Sequence, residues 1–354
     1  MFEQEVTQWY ELMMHGIHRG WFEPVVVDGY VVNDAIPSPP DRRDYALTRI
    51  AAPVEVPDRV SQEHLVPKVL NQGNRGTCVG KTNTTTCGMG YKERDRLPGG
   101  GFSTLFNYSL CKQHDGIPSQ EGTFPRVSCK IAHKYGNLPV VKLPYQTENV
   151  TPEITQDMFF AAEEFKAEAY ARLYGTDEVE QSMAAGLKTR IAILVTENFV
   201  KWDGKGLIGP PQGRIYGFHE MSVSEYDKKA GYIRGPNSWG KNWGKGGYFE
   251  LSYEFLHWES ADLPNFPALR EAWAMEFGEI KPTHRTIMEF WIGKHIARVN
   301  GRPVAIDPAD QRVAPIIKWS RSMLPTRFIA EQLNADQVLW DHDERKVTLK
   351  FDKL

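Results

Sequence analysis

The chain has 354 residues, with 42 Lys plus Arg against 45 Asp plus Glu, and its net charge of −3 gives no basis for a nucleic-acid partner. Hydrophobic residues at 41% and aromatics at 12% exclude a disordered chain, and at ~150 residues per domain the length predicts two or three domains. No apolar run approaches the ~18 residues of a membrane span. The first twenty residues carry acids and His where a secretory signal has a basic end and an apolar run, so a cytoplasmic or phage-associated location is expected over secretion.

Residues 1–55 read as an N-terminal extension. An amphipathic start (Val6, Trp9, Tyr10, Leu12, Met13) leads into a Val-rich run over 25–32. Pro37, Pro39 and Pro40 then block helix and strand alike, which predicts an extended strap. From 56 to 279 helical spacing appears at 106–111, 125–135, 159–174 and 176–187. Strand-like runs follow at 191–196, 220–226, 231–234 and 248–251. Helices first and strands later predict an α+β domain with segregated halves.

A polar break with Pro282 at 278–284 reads as a linker. Beyond it, 284–354 alternate as strands at 287–292, 295–299, 304–306 and 347–351, with Asn300-Gly301 as a hairpin-turn signal. One helical pattern, 326–333, completes a small α+β module. The cysteines, Cys78, Cys87, Cys111 and Cys129, show no C-x-x-C spacing, so they read as mostly buried thiols rather than a zinc or disulfide framework.

The chemistry concentrates in two stretches. In the first, QGNRGTCVG (72–80), Cys78 follows a Gly-rich turn at the predicted start of a helix, where the helix dipole favours a thiolate. Gln72 stands six residues earlier, able to offer an amide N–H beside the Cys78 backbone N–H to an oxyanion. The second stretch is GFHEM (217–221), followed by NSWGKNWGKGGY (237–248). Asn237 can accept from one ring nitrogen of His219 and fix its tautomer, and Trp239 can keep water from that bond. The helix expected over 78–91 runs against propensity, because CVGKTNTTTCGMGY is rich in Thr and Gly.

Gln72, Cys78, His219 and Asn237, in this order and with these neighbours, resemble the papain-like cysteine peptidase family over 56–277. EGTFPRVSCKIAHKYG (121–136) resembles that family's groove loop and following helix, and LPY (143–145) its Pro-Tyr turn. The resemblance implies a two-lobed α+β fold, a helical lobe plus an antiparallel β-sheet lobe, and a thiol peptidase acting on peptide or protein substrates. It makes Cys78 the nucleophile, His219 its proton partner, Asn237 the residue that orients His219, Gln72 the oxyanion donor and Trp239 a shield. It needs neither metal nor cofactor. Gly76, Gly122, Thr123, Phe218, Glu220 and Trp239 would line the substrate groove, with Glu220 biasing one pocket toward basic side chains.

Several positions depart from the family. Val79 replaces a Trp, Arg75 stands where exported relatives have a disulfide Cys, and Thr123 replaces a second Gly. Residues 1–55 lack the spaced E-R-F-N pattern of the family's inhibitory pro-segment. The extension is therefore expected to wrap the peptidase domain rather than to act as a zymogen segment, with 9–21 as the stretch able to enter the groove. Two other classes share the resemblance: a catalytically weak binding or structural protein, and an amidase or transpeptidase acting on cell-wall peptide.

The C-terminal module, through FWIGKHIARVNGRPVAID, APIIKWSRSMLPTRFIAEQLNA and QVLWDHDERKVTLKF, resembles the copper amine oxidase N-terminal-like (stalk) domain of bacterial surface proteins. That resemblance implies a non-catalytic module without copper, binding a protein or cell-surface ligand. His284, His295 and His342 are too scattered in sequence to suggest a metal site.

Overall fold

In the computed structural model, which describes residues 2–22, 25–32, 34–146, 152–260, 267–278, 288–299, 302–318, 321–332, 337–341 and 346–350, the chain divides into two units, Met1–Ile280 and Lys281–Leu354. The linker expected at 278–284 and the turn at Asn300-Gly301 lie almost wholly outside these residues, as do His284 and His342. Among the described residues no helix is long and apolar enough to cross a membrane.

Helix α1 (Phe2–Arg19) opens with Glu3 and Glu5 and closes with His18 and Arg19, charges that complement its dipole. The Val-rich run is a hairpin, β1 (Val25–Val27) and β2 (Tyr30–Val32), turning at Asp28-Gly29, both at positive φ. The strap that follows is extended and tied down along its length. Trp9 Nε1 donates to Pro37 O (2.9 Å), Ser38 N to Glu271 Oε2 (2.8 Å), and Arg126 N to Ser38 Oγ (3.1 Å).

After β3 (Arg59–Ser61) comes the buried helix α2 (Cys78–Lys92). Three of its four Thr residues, poor helix formers, hydrogen-bond through their hydroxyls to the neighbouring strand or helix. Thr82 donates to Glu220 O (2.8 Å), Thr86 shares a hydrogen bond with Ser222 (2.8 Å), and Thr84 meets both Gly80 O and Thr104 Oγ1. Tertiary burial overrides propensity here. Around α2 lie α3 (Thr104–His114), capped by Ser103 on Phe106 N, and α4 (Pro125–Lys134), with Pro at its first turn.

The helix expected over 159–174 is corrected. Helix α5 (Gln156–Glu163) is short, and β4 (Ala169–Leu173) replaces the rest. Ala171 and Leu173 point inward, and the strand pairs along β10 (Leu269–Glu276), so ladder pairing and inward side chains outweigh the helical spacing. Between them run α6 (Gly175–Ala184), β5 (Lys188–Thr196), α7 (Glu197–Val200), β6 (Ile215–Val223), β7 (Glu225–Asp227), β8 (Tyr232–Pro236), β9 (Tyr248–Ser252) and α8 (Tyr253–His257). The strands form two antiparallel sheets, β4-β10-β5-β6 and β3-β7-β8-β9. β6 is antiparallel to β5 with His219 opposite Ile193.

Gly90 in α2 faces Phe277. A Cβ there would fall 2.2 Å from Cδ2 of that ring. Gly90→Ala should therefore lower stability by roughly 1–3 kcal/mol through overpacking, against a helix-propensity gain of only about 0.5–1. An unchanged urea midpoint would contradict this packing.

In the second unit, β11 (Met288–Glu289), β12 (Ile296–Val299) and β13 (Arg302–Ala305) form an antiparallel sheet. The Val299–Arg302 pair brackets the expected turn. β14 (Ile316–Lys318) pairs with β15 (Arg321–Met323), and β16 (Gln337–Asp341) with β17 (Lys346–Lys350). The expected helix is α9 (Thr326–Gln332). Ala297, Ile306 and Phe328 form its small core, with Phe290 edge-on to Phe328 at 5.8 Å.

Candidate active site

Cys78 is the first residue of α2, so its backbone N–H is one of the unpaired donors at a helix start. The loop before it is sewn to the segment after β8. Gln72 N donates to Ser238 O (2.8 Å), Gly240 N to Leu70 O (2.9 Å), and Asn71 forms a bridge with Trp239. Ser238 Oγ donates to Gln72 Oε1 (2.5 Å), which leaves the Nε2 end of that amide as a donor. Tyr145 Oη holds the loop from below through Gln72 O (2.7 Å).

His219 stands on β6 and Asn237 just beyond β8. His219 Nε2 lies 2.8 Å from Asn237 Oδ1, which also accepts from Ser238 N (2.7 Å). Two donors on one atom identify it as the amide oxygen, so Nε2 carries a hydrogen. The Trp239 ring covers the bond, 4.8 Å from the imidazole between centroids.

A residue the sequence reading did not single out joins these groups: Asp34, on the strap. Its Oδ2 accepts from Gln72 Nε2 (2.5 Å) and from Cys78 N (2.8 Å), and its Oδ1 lies 3.2 Å from His219 Nδ1. Asp34, Cys78 and His219 are all fully buried, with Oδ, Sγ and ring nitrogen within 4.8 Å of one another. Both ring nitrogens of His219 therefore face oxygen atoms, Asn237 Oδ1 at one and Asp34 Oδ1 at the other. Burial pushes the Cys78 thiol well up, and the Asp34 carboxylate beside it adds to the rise. Among the described residues these three are the group whose spacing could hold a metal ion. The hydrogen bonds of Asp34 already account for their convergence.

The strap backbone follows the groove the sequence assigned to substrate. Asp34 N and Ala35 N donate to Phe218 O (3.1 and 3.2 Å), Ile36 N donates to Thr123 O (3.0 Å), and Thr123 N to Asp34 O (3.3 Å). Gly122 sits at φ +80°, and a Cβ there would come 2.5 Å from Asp34 O, so only glycine lets the strap this close. Gly76 lies under the Asp34 side chain. Thr123 turns its hydroxyl away to Asp115 (2.9 Å), leaving its backbone to the groove. The extension was expected to wrap the peptidase domain with 9–21 as the stretch able to enter the groove, and that choice of stretch is corrected. The stretch that enters is 34–36, because its backbone finds partners on both walls.

Glu220 is also placed otherwise than expected. It is wholly buried behind the cleft, in a bidentate ion pair with Arg190 (2.5 and 2.8 Å), whose guanidinium also reaches Val79 O (3.2 Å). Burial raises the Glu220 carboxyl, and Arg190 opposes the rise. It offers no charge to a substrate pocket. Cys87, Cys111 and Cys129 are buried free thiols with their pKa values raised by desolvation, as inert core cysteines are.

Set against solved structures, the coordinates overlay a cysteine protease, xylellain from Xylella fastidiosa, with a TM-score of 0.58 at 21% identity, covering 71% of this chain and 97% of that one. The larger unit has the papain-like fold. A procathepsin B from Trypanosoma congolense overlays with a TM-score of 0.51 at 16% identity, covering 75% of this chain and 97% of that one. At such identities the likeness speaks to architecture alone. The family described as copper amine oxidase N-terminal domain matches residues 273–349. No curated protein matches the chain in sequence.

Proposed function

We propose that the papain-like unit is a cysteine endopeptidase, hydrolysing peptide bonds through Cys78, His219, Asn237 and Gln72. The observation that carries this reading is the convergence of Gln72 Nε2 and Cys78 N–H on a single oxygen, at 2.5 and 2.8 Å. That is the geometry of a preformed hole for the oxyanion of acyl transfer. With a substrate carbonyl in place of the Asp34 carboxylate, Cys78 gives its thiol proton to His219 Nδ1 as Sγ attacks the carbonyl carbon, and the carbonyl oxygen takes up charge between those two donors. His219 then passes a proton from Nδ1 to the leaving amine, and the C–N bond breaks to give a thioester. A water, deprotonated by His219, attacks that thioester, releases the acid and returns the proton to the sulfur. Asn237 holds the ring by Nε2 throughout, so Nδ1 remains the nitrogen that moves protons.

The module matching the copper amine oxidase N-terminal domain takes a positioning or binding role toward a protein or cell-surface ligand in this reading. An amidase or transpeptidase acting on cell-wall peptide would share the thioester but differ in products.

The test uses the Asp34→Ala chain, in which the hole is free. An epoxysuccinyl thiol inhibitor should add one equivalent at Cys78, and neither Cys78→Ala nor His219→Ala in that background should react. A peptide library should be cut at internal amide bonds. Absence of labelling would remove the nucleophile, and turnover of peptidoglycan fragments in place of the library would reassign the substrate.

A further inference from the structure

We propose that a second site, a cavity of about 300 Å³ between the N-terminal extension and the β4-β10 side of its sheet, binds a free α-amino acid. The ligand's carboxylate sits on Arg270 and its ammonium on Glu5 and Glu259. Neither Cys78 nor His219 lines this cavity, and the proposal does not depend on the peptidase reading. The backbone places Arg270 there. β10 pairs with β5 through Leu269↔Ile193 and Glu271↔Ala192, so two consecutive residues of β5 face three of β10. Arg270 is the extra residue, a β-bulge, and bulges re-aim side chains out of the regular alternation. Its side chain lines the cavity half-buried, in company with Arg172 of β4.

Among the described residues Arg270 has neither a hydrogen bond nor an ion pair. Burial and the Arg172 guanidinium pull its pKa down to about 10, so this charge is held at a cost that an anionic group would relieve. Glu271 offsets that cost only in part, because both its oxygens are committed elsewhere. Its Oε2 accepts from Ser38 N (2.8 Å), and its Oε1 from Trp273 Nε1 (2.7 Å) beside Arg172 Nη1 (3.3 Å).

The other carboxylates of the cavity sort into two kinds. Asp41 and Asp44 are paired with Arg43 and Arg126. Glu5 of α1 and Glu259 after α8 have no ion pair among the described residues. Unpaired charges of both signs thus line one cavity without reaching each other. A simple anion would suit Arg270 and be repelled by Glu5 and Glu259, whereas a molecule with a carboxylate and an ammonium answers both. A guanidinium takes a carboxylate through two parallel N–H···O bonds, which fixes that end. Pro40, Tyr174 and Pro267 add apolar surface to the wall, against which an aliphatic or aromatic side chain packs. The volume lies at the small end of ligand pockets, as an amino acid requires.

The experiment titrates the full-length protein calorimetrically with L-leucine, L-phenylalanine, 4-methylpentanoate (leucine without its ammonium) and 3-methylbutylamine (leucine without its carboxylate). None of these holds an amide bond, so activity at Cys78 does not enter the reading. Leucine or phenylalanine should bind at one equivalent, and each truncated probe at least tenfold more weakly than leucine. Arg270→Gln should weaken the amino acid at least tenfold and leave 3-methylbutylamine unchanged. Glu5→Gln combined with Glu259→Gln should weaken the amino acid at least tenfold as well, and Arg312→Gln, in the other unit, should match wild type. Because Arg270 has no partner to lose, Arg270→Gln should unfold at a temperature no lower than wild type. Failure of both amino acids to bind would overturn the site, as would binding that Arg270→Gln leaves unchanged. Binding of 4-methylpentanoate as tight as that of leucine would reduce the cavity to a simple anion site and overturn the amino-acid assignment.

Discussion

In the Asp34→Ala background, replacing His219 by Ala should lower kcat for peptide hydrolysis by on the order of 10⁴- to 10⁶-fold, the range seen when the proton-transfer member of such a unit is removed. His219 has one ring nitrogen committed to Asn237 and the other aimed at the carboxylate and sulfur. No other titratable group of the described site reaches that space, so nothing replaces it. Alkylation of Cys78 should slow at pH 7 and recover only as pH rises above the ordinary thiol range, since burial holds the thiol up and without an imidazolium partner it must lose its proton to bulk base. An alkylation rate at pH 7 unchanged by the substitution would mean that His219 does not activate the sulfur.

Arg190→Met should be the most destabilising single change, costing on the order of 3–5 kcal/mol, because it leaves the Glu220 carboxylate buried without a partner. Replacing both, as Arg190→Met with Glu220→Leu, should recover most of the loss. The pH dependence has a definite sign. Burial raises the Glu220 carboxyl above its unfolded value, and without Arg190 the main opposition to that rise is gone. The single variant is therefore least impaired below pH ~4, where the carboxyl is protonated in both states. It loses stability as pH climbs through the raised folded pKa. Urea unfolding at pH 4 and pH 8 reads this directly, and equal losses at the two values would sink the account. Arg190 also reaches Val79 O, beside the nucleophile, so activity should fall with stability in the single variant.

The polar residues of the site were legible because each role demands a particular atom type at a particular distance. A sulfur at a helix start, an amide donor one loop earlier and an amide acceptor across from an imidazole leave few substitutes. Glu220 was misplaced although the sequence held the correction. Neighbours on a strand face opposite sides, so if His219 faces the cleft, Glu220 faces the core. Asp34 could not be read the same way. It lies 185 positions from His219 in a strap without periodicity, and only the folded groove gives its carboxylate a meaning. β10 escaped notice for a similar reason. It carries Glu271 in its interior, and that charge becomes intelligible once Ser38 N, Trp273 Nε1 and Arg172 are seen to share it. The helix over 78–91 was legible only through the chemistry it had to serve, since Thr and Gly argued against it.

The hydroxyl contacts between α2 and β6 have one more consequence. A purely greasy contact between a helix and a strand tolerates sliding, because one methyl group substitutes for another. Here Thr82 and Thr86 mesh with Glu220 O and Ser222 like teeth, and a slip of one helical turn, ~5.4 Å, would strand buried hydroxyls without partners. The sulfur rides on one member of that gear and the imidazole on the other, so their separation is set by the ratchet between them and is insulated from rearrangements elsewhere in the core.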